Sequence, residues 1–418
     1  MNDKTMISEI PKGRNAFIII HGIGEQKPFD TMDYFGRNWI KFFEKSNINV
    51  KLEHILVEHE KRSPSHITDC VRISPCDASK NWQVDVYEYH WAHQTNNEIS
   101  ISEVLKWLER TLMGTINFYS QPQNQRLTAK ISGEQRRKQI FKYHLRIITI
   151  FIRAFKPIYP LLRLVLWLIL SLSSPFLSGR FLQCSWKLSK QLLLPALVDH
   201  IGDIAVYSTI DTNSAQYKVR QRIIKGCLKL LKSIIQDKQA SYDKVVLVGH
   251  SLGSCIAYDT LNLLNIEINL PSTQYQELPV NKIVGLVTFG SPLDKVAFFH
   301  QESQKSDKQY IRTAIIQHLT SFRINPQTIS KPRYLTDNPI KNKLENLRWV
   351  NYYHHNDPIG GRLDYYQNLY NVLMKYKAPW GNKAHQGYWV DFSFYEHIAK
   401  CFLYSSREDE YSYINKQT

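Results

Sequence analysis

Lys244-Val-Val-Leu-Val-Gly-His-Ser-Leu-Gly-Ser-Cys-Ile-Ala-Tyr-Asp-Thr-Leu261 is the stretch whose reading decides the fold. It opens on the apolar run Val245 to Val248, the length of a strand buried on both faces. After Gly249-His-Ser-Leu-Gly253 a helical spacing begins, with Ile256, Leu263 and Leu264 on or near one face. Strand, sharp turn and helix, with Ser251 at the apex and Gly249 and Gly253 two residues to either side, is the G-x-S-x-G nucleophile elbow. The chemistry explains the spacing. The serine sits in a strained backbone conformation, and its neighbours two away must lack a Cβ for strand and helix to approach. Its hydroxyl is then presented at a helix N-terminus, where backbone N–H groups can face a developing oxyanion. The plainer alternative is an ordinary strand-to-helix turn with a capping serine.

Working outward, Ala16-Phe-Ile-Ile-Ile20 reads as a short buried strand that runs into His21-Gly-Ile-Gly-Glu25. A glycine-rich turn after an early strand is where such an architecture places its second oxyanion donor. The expected donors are the N–H groups of Ile23 and Leu252, with His21, Gly22 and Gly24 in support. A phosphate-binding loop is the weaker reading, since neither G-x-G-x-x-G nor a Walker lysine is present. A helix is expected over about Asp30 to Lys45, and a strand over Trp82 to Tyr89. Ser214 to Gln236 has the pattern of a long amphipathic helix, as a βαβ unit requires. Lys282 to Phe289 and Arg348 to Tyr353 read as further strands, residues 296–345 as an excursion over the active-site face, and about Ser393 to Leu403 as a last helix. The fold class is α/β, a mainly parallel sheet with helices on both faces.

The chain has 418 residues, 43% apolar, with a net charge of +16. Between Gln135 and Val198 lie eleven Lys or Arg and no Asp or Glu, so most of the excess is local. That stretch is also the most apolar in the chain, which points to an anionic membrane surface rather than nucleic acid. The Ile158–Leu177 window is about the length needed to span a bilayer core. With sheet strands expected before and after it, a single crossing is excluded. A pair of crossings, a shallow hairpin or in-plane helices remain, and a hydrophobic lid is the plainer alternative. The expected organisation is residues 1–95 and 201–418 as the two parts of one domain, with 96–200 as a basic, apolar helical insertion. The six cysteines are scattered and residues 1–15 have no apolar leader, which points to a reducing, cytoplasmic setting for the catalytic part. His90 and His93 have no matching ligand partners, so no metal is expected.

Ser251 needs a base, and the base an orienting acid. The expected chain order is Ser, acid, His, with each group at the C-terminal end of a strand. Asp357 follows the strand ending at Tyr353, and His385 lies on the loop after it. Asp294, after the strand ending at Phe289, is the rival acid. His397 is the rival base, within an expected helix. His354 and His355 stand too close in sequence to Asp357, and His250 is read as support for the elbow.

Taken together, His21-Gly-Ile-Gly24, Glu88 to Trp91, Gly249 to Ser254 with Tyr258-Asp259, Gly290-Ser-Pro-Leu293, Asp357-Pro358 and His385 to Trp389 resemble the α/β-hydrolase serine esterases and lipases. The likeness is to intracellular lipid-acting members, of the DDHD-phospholipase and GPI inositol-deacylase kind. The resemblance implies a membrane-associated serine hydrolase that cleaves carboxylic esters of lipids without metal or organic cofactor. Ser251 would be the nucleophile, His385 the base and Asp357 the acid. An acyl-protein thioesterase or deacylase would use the same residues, and a non-catalytic membrane scaffold could retain the fold.

Overall fold

The computed structural model describes residues 10–22, 27–58, 67–94, 215–272, 277–294, 310–325, 337–357, 359–379 and 381–404. Contacts divide the chain into two compact units, and Met1–His93, Gln221–Asp294 and Ser306–Thr418 form the one described below. The insertion expected over 96–200 lies outside the described residues, as do Ile23 and Gly24. Among the described residues, no helix is long and apolar enough to cross a membrane.

The sheet has eight strands: β1 (Gly13–Ile20), β2 (Val50–Glu58), β3 (Ile67–Pro75), β4 (Trp82–Tyr89), β5 (Lys244–His250), β6 (Ile283–Phe289), β7 (Arg348–Tyr353) and β8 (Leu369–Leu373). Their order is β2-β3-β4-β1-β5-β6-β7-β8. β2 and β3 form an antiparallel pair, β3 is antiparallel to β4, and every pairing from β4 through β8 is parallel. The fold is thus α/β with a mixed, mostly parallel sheet.

Helices cover both faces, and the alternation of the strands decides which residues meet them. Phe17, Ile19, Val246, Val248, Val287 and Val350 face a core with Phe35, Trp39 and Phe42 of α1 (Asp30–Lys45). The opposite face receives α2 (Ala215–Gln236) and α3 (Leu252–Asn269). There Tyr89 donates its hydroxyl to the Ile223 carbonyl at 2.7 Å, and the Tyr258 ring packs 5.6 Å from Trp349. Lys232 and Glu267 tie α2 to α3. Among the described residues, the remaining α-helices are α4 (Tyr310–Leu319), α5 (Asn382–Gln386) and α6 (Phe392–Ala399), whose Phe394 and Ile398 return to the α1 core.

Chain order reverses around β1, which lies between β4 and β5. In an open α/β sheet the crevice at such a reversal, beyond the carboxyl ends of the strands, is where ligands bind. β1, β5, β6 and β7 all end there, at Ile20, His250, Phe289 and Tyr353.

The expected strands and long helices stand within a few residues of their predicted places, and three strands are additions. β2 and β3 extend the sheet beyond β4, where Arg72 forms a two-pronged pair with the buried Asp85 at 2.8 and 2.7 Å. Tyr242 also donates to that carboxylate at 2.5 Å, so its charge is fully compensated. β8 is the third addition.

Candidate active site

Ser251 closes β5 and opens α3 with φ 52° and ψ −124°, a conformation that non-glycine residues rarely adopt. Its own N–H donates to the Phe289 carbonyl of β6 at 3.0 Å, and its carbonyl accepts from the Ser254 N–H at 3.0 Å. The flanking glycines are required by space. A Cβ on Gly249 would come within 2.5 Å of the Gly253 carbonyl oxygen and 2.6 Å of Ser254 Cα. One on Gly253 would run into the carbonyl oxygens of Ile20 and His21. Leu252 is the first residue of α3, so its N–H has no acceptor within the helix.

His385 and Asp357 come together beside this turn. The imidazole Nδ1 lies 3.1 and 3.0 Å from Asp357 Oδ1 and Oδ2, and both residues are buried. Oδ1 also accepts the N–H groups of Ile359 at 2.8 Å and Gly360 at 3.0 Å. Oδ2 accepts the Tyr388 hydroxyl at 2.9 Å. Burial alone would raise the Asp357 pKa. The hydrogen bond and charge of His385, with the Gly360 and Ile359 N–H groups, outweigh it and hold the carboxyl well below its usual range. An ionised Asp357 requires the proton on His385 Nδ1, which leaves the Nε2 lone pair of a neutral ring free to act as a base.

Gly290 lies at the join between nucleophile and base. It adopts φ 57°, and a Cβ there would sit 2.8 Å from His385 Cε1 and 3.3 Å from Asp357 Oδ2. His250 lies beneath the base, its ring 4.6 Å from that of His385 and its Nε2 3.1 Å from the His385 carbonyl. Burial, and then the neighbouring His385, push its pKa well below the ordinary value. The neutral His250 therefore donates Nε2–H to that carbonyl and fixes the backbone of the base. Ser251 and His385 share no hydrogen bond in this structure. Catalytic contacts of this type commonly tighten only when substrate binds.

The glycine-rich turn approaches from β1. A Cβ on Gly22 would lie 2.8 Å from Ser251 Cβ, so this backbone packs directly on the nucleophile. His21 stacks on Trp91 at 5.0 Å with 6° between the rings. Its Nε2 accepts the Trp91 backbone N–H at 3.1 Å, and its Nδ1 lies 2.8 Å from the Gly22 carbonyl. The ring is thus the Nδ1–H tautomer, donating to Gly22. On the same side, Glu88 of β4 accepts the Met32 N–H at the start of α1 at 3.0 Å. Burial raises its pKa to about 7, against the Met32 hydrogen bond that lowers it.

The rival residues are elsewhere. Asp294 accepts the backbone N–H groups of Asp364 and Tyr365, so its carboxylate is a loop clasp. His397 Nδ1 lies 2.7 Å from the Tyr352 hydroxyl, and burial lowers its pKa to about 4. His354 bonds the Tyr376 carbonyl and the Asn356 N–H, while His355 is exposed. His90 packs 5.2 Å from the His21 ring. One expectation is corrected: His385 is not on a loop but in α5, a single helical turn clamped at its base by the Tyr376 hydroxyl on the Ala384 carbonyl. Gly290 and Tyr388 lie in stretches that carry the resemblance, but the sequence assigned them no role; their position beside Asp357 and His385 supplies it.

No family model, curated protein or solved structure matches this chain.

Proposed function

We propose that the chain is a serine carboxylic-ester hydrolase of the α/β-hydrolase kind. The observation that carries this reading is the buried His385–Asp357 pair held against the strained Ser251 turn at the chain reversal of the sheet. His385 Nε2 takes the Ser251 proton as Oγ attacks an ester carbonyl. Asp357 keeps the ring in the Nδ1–H tautomer and stabilises the imidazolium that forms. The Leu252 N–H, and in the sequence-based reading that of Ile23, meets the oxyanion, each such donor contributing roughly 3–4 kcal/mol. The imidazolium then protonates the leaving alcohol, and water, activated by the same ring, releases the acyl group from Ser251.

The proposed substrates are acyl lipids at an anionic membrane surface, supported by the eleven cations and long apolar runs between Gln135 and Val198. The test has two stages. A fluorophosphonate probe should label the wild-type protein and leave Ser251→Ala and His385→Ala unlabelled. Phospholipid vesicles and small soluble esters are then compared as substrates. A folded wild type that resists the probe removes the hydrolase reading. Turnover of soluble esters alone removes the lipid part.

A further inference from the structure

We propose that Tyr388 is a positioning residue of this site, its hydroxyl holding the Asp357 carboxylate in the orientation and charge state that His385 requires. The kinetic part of the argument rests on the hydrolase reading; the geometric part does not. Asp357 Oδ2 receives two side-chain donors, His385 Nδ1 at 3.0 Å and the Tyr388 hydroxyl at 2.9 Å. Oδ1 faces the two backbone N–H groups of its own turn. With the turn fixing one oxygen, Tyr388 is the group that fixes the other independently of the base.

The ring has no freedom to give that bond up. Tyr388 is fully buried, edge-on to Phe289 at 5.9 Å and to Tyr376 at 5.6 Å. No water competes for a hydroxyl in such a place, and a buried phenol that lost its acceptor would remain unpaired. Tyr388 also follows His385 by three residues, in the turn Gly387–Val390 that continues directly from α5. Tyr376 braces the same segment from outside. Its hydroxyl takes the Ala384 carbonyl, and its ring fills the space where a Cβ on Gly387 would have to go. The base and the second donor to its acid therefore ride on one rigid piece of chain, and they meet the carboxylate together. Packing alone would be served equally by phenylalanine; the oxygen serves the Asp357 carboxylate and also meets the neighbouring Tyr376 hydroxyl.

The test is Tyr388→Phe in the full chain, with the downfield proton resonance of the His385 Nδ1–H···Asp357 bond as the direct readout. A carboxylate with one donor fewer is more basic and pulls harder on the Nδ1 proton. The resonance should shift, and the acid limb of kcat/KM should move to higher pH. We expect kcat to fall on the order of ten-fold with KM little changed, the pattern of a contact that matters in the transition state. Replacement of Tyr388 by 3-fluorotyrosine keeps the ring and strengthens the donor, so resonance and acid limb should move the opposite way; this holds the proposal to account if the phenylalanine variant folds poorly. The proposal is overturned if both Tyr388 variants keep the wild-type resonance and acid limb, even with reduced turnover. A resonance that moves in a protein inert to the fluorophosphonate probe supports Tyr388 and removes the hydrolase reading instead.

Discussion

Glu88 provides a measurement that tests the buried architecture without any substrate. Near the end of β4, its carboxylate accepts the Met32 N–H at the head of α1 and leaves Oε1 without a partner. Burial raises its pKa from 4.5 to about 7. Below pH 4.5 the group is protonated whether the chain is folded or not, and it carries no penalty. Between 4.5 and about 7 the folded state holds the proton that the unfolded state releases, so stability falls as pH rises. Above that range the cost is constant. At about 1.4 kcal/mol per pH unit, the gap corresponds to about 3 kcal/mol. Glu88→Gln removes the ionisation and keeps an oxygen to accept from Met32. Urea unfolding of both proteins at pH 5, 6, 7 and 8 gives the difference in stability at each pH. The difference matters because His397, buried and lowered to about 4, contributes a slope of opposite sign between 4 and 6.5, which cancels on subtraction. We expect Glu88→Gln to gain on wild type steadily from pH 5 to 7, reaching about 2–3 kcal/mol at pH 8. A difference that is the same at all four pH values refutes the account of a carboxylate kept uncomfortably dry.

Other outcomes follow from the same geometry. Ser251→Gly should abolish probe labelling yet stabilise the fold by about 1 kcal/mol, since glycine relaxes the strain at φ 52°; calorimetry reads this, and a loss of stability would contradict the strained turn. Asp357→Asn should cut ester turnover by ~10⁴-fold through loss of the correct tautomer. Asp294→Asn should chiefly weaken the 364–365 clasp and lower the melting temperature; equal kinetic losses in the two variants would mean that the acid is misassigned. Gly249→Ala should destabilise by about 3 kcal/mol or more, because its Cβ meets backbone rather than a yielding side chain; a denaturant midpoint like that of wild type would count against the close strand–helix approach.

What could be read in the sequence divides along physical lines. β1, β5 and β6 announce themselves as continuous apolar runs buried on both faces, and α1 by a buried face that repeats with helical period. The elbow is legible because steric demand restricts Gly249 and Gly253 to one residue type. β2 is harder to read: Val50, Leu52 and Leu56 share one face, but Leu52 and Leu56 are exposed and His54 interrupts it, so its apolar residues do not mark a core. β8 is five residues long and half-buried throughout, too short for a period. α5, also five residues long, is held by the Tyr376 contact rather than by its own propensity, so His385 reads as loop until its neighbours are in place. Tyr388 was hidden for a related reason. A tyrosine in an aromatic-rich chain has no evident role until the Asp357 carboxylate, from the turn after β7, is set against it.

The central place of β1 also governs how the chain comes off the ribosome. β1 ends at Ile20 and its partner β5 begins at Lys244, so one long side of β1 waits while more than half the chain is made. At about 5–20 residues per second that interval is roughly ten to forty-five seconds. During it β1 can pair with β4 on one side only, and its row of Phe17, Ile18, Ile19 and Ile20 presents an open edge. The nucleophile strand is thus also the piece that seals the growing sheet: until Ser251 has been synthesised, the protein has neither its reactive turn nor a partner for the open side of β1.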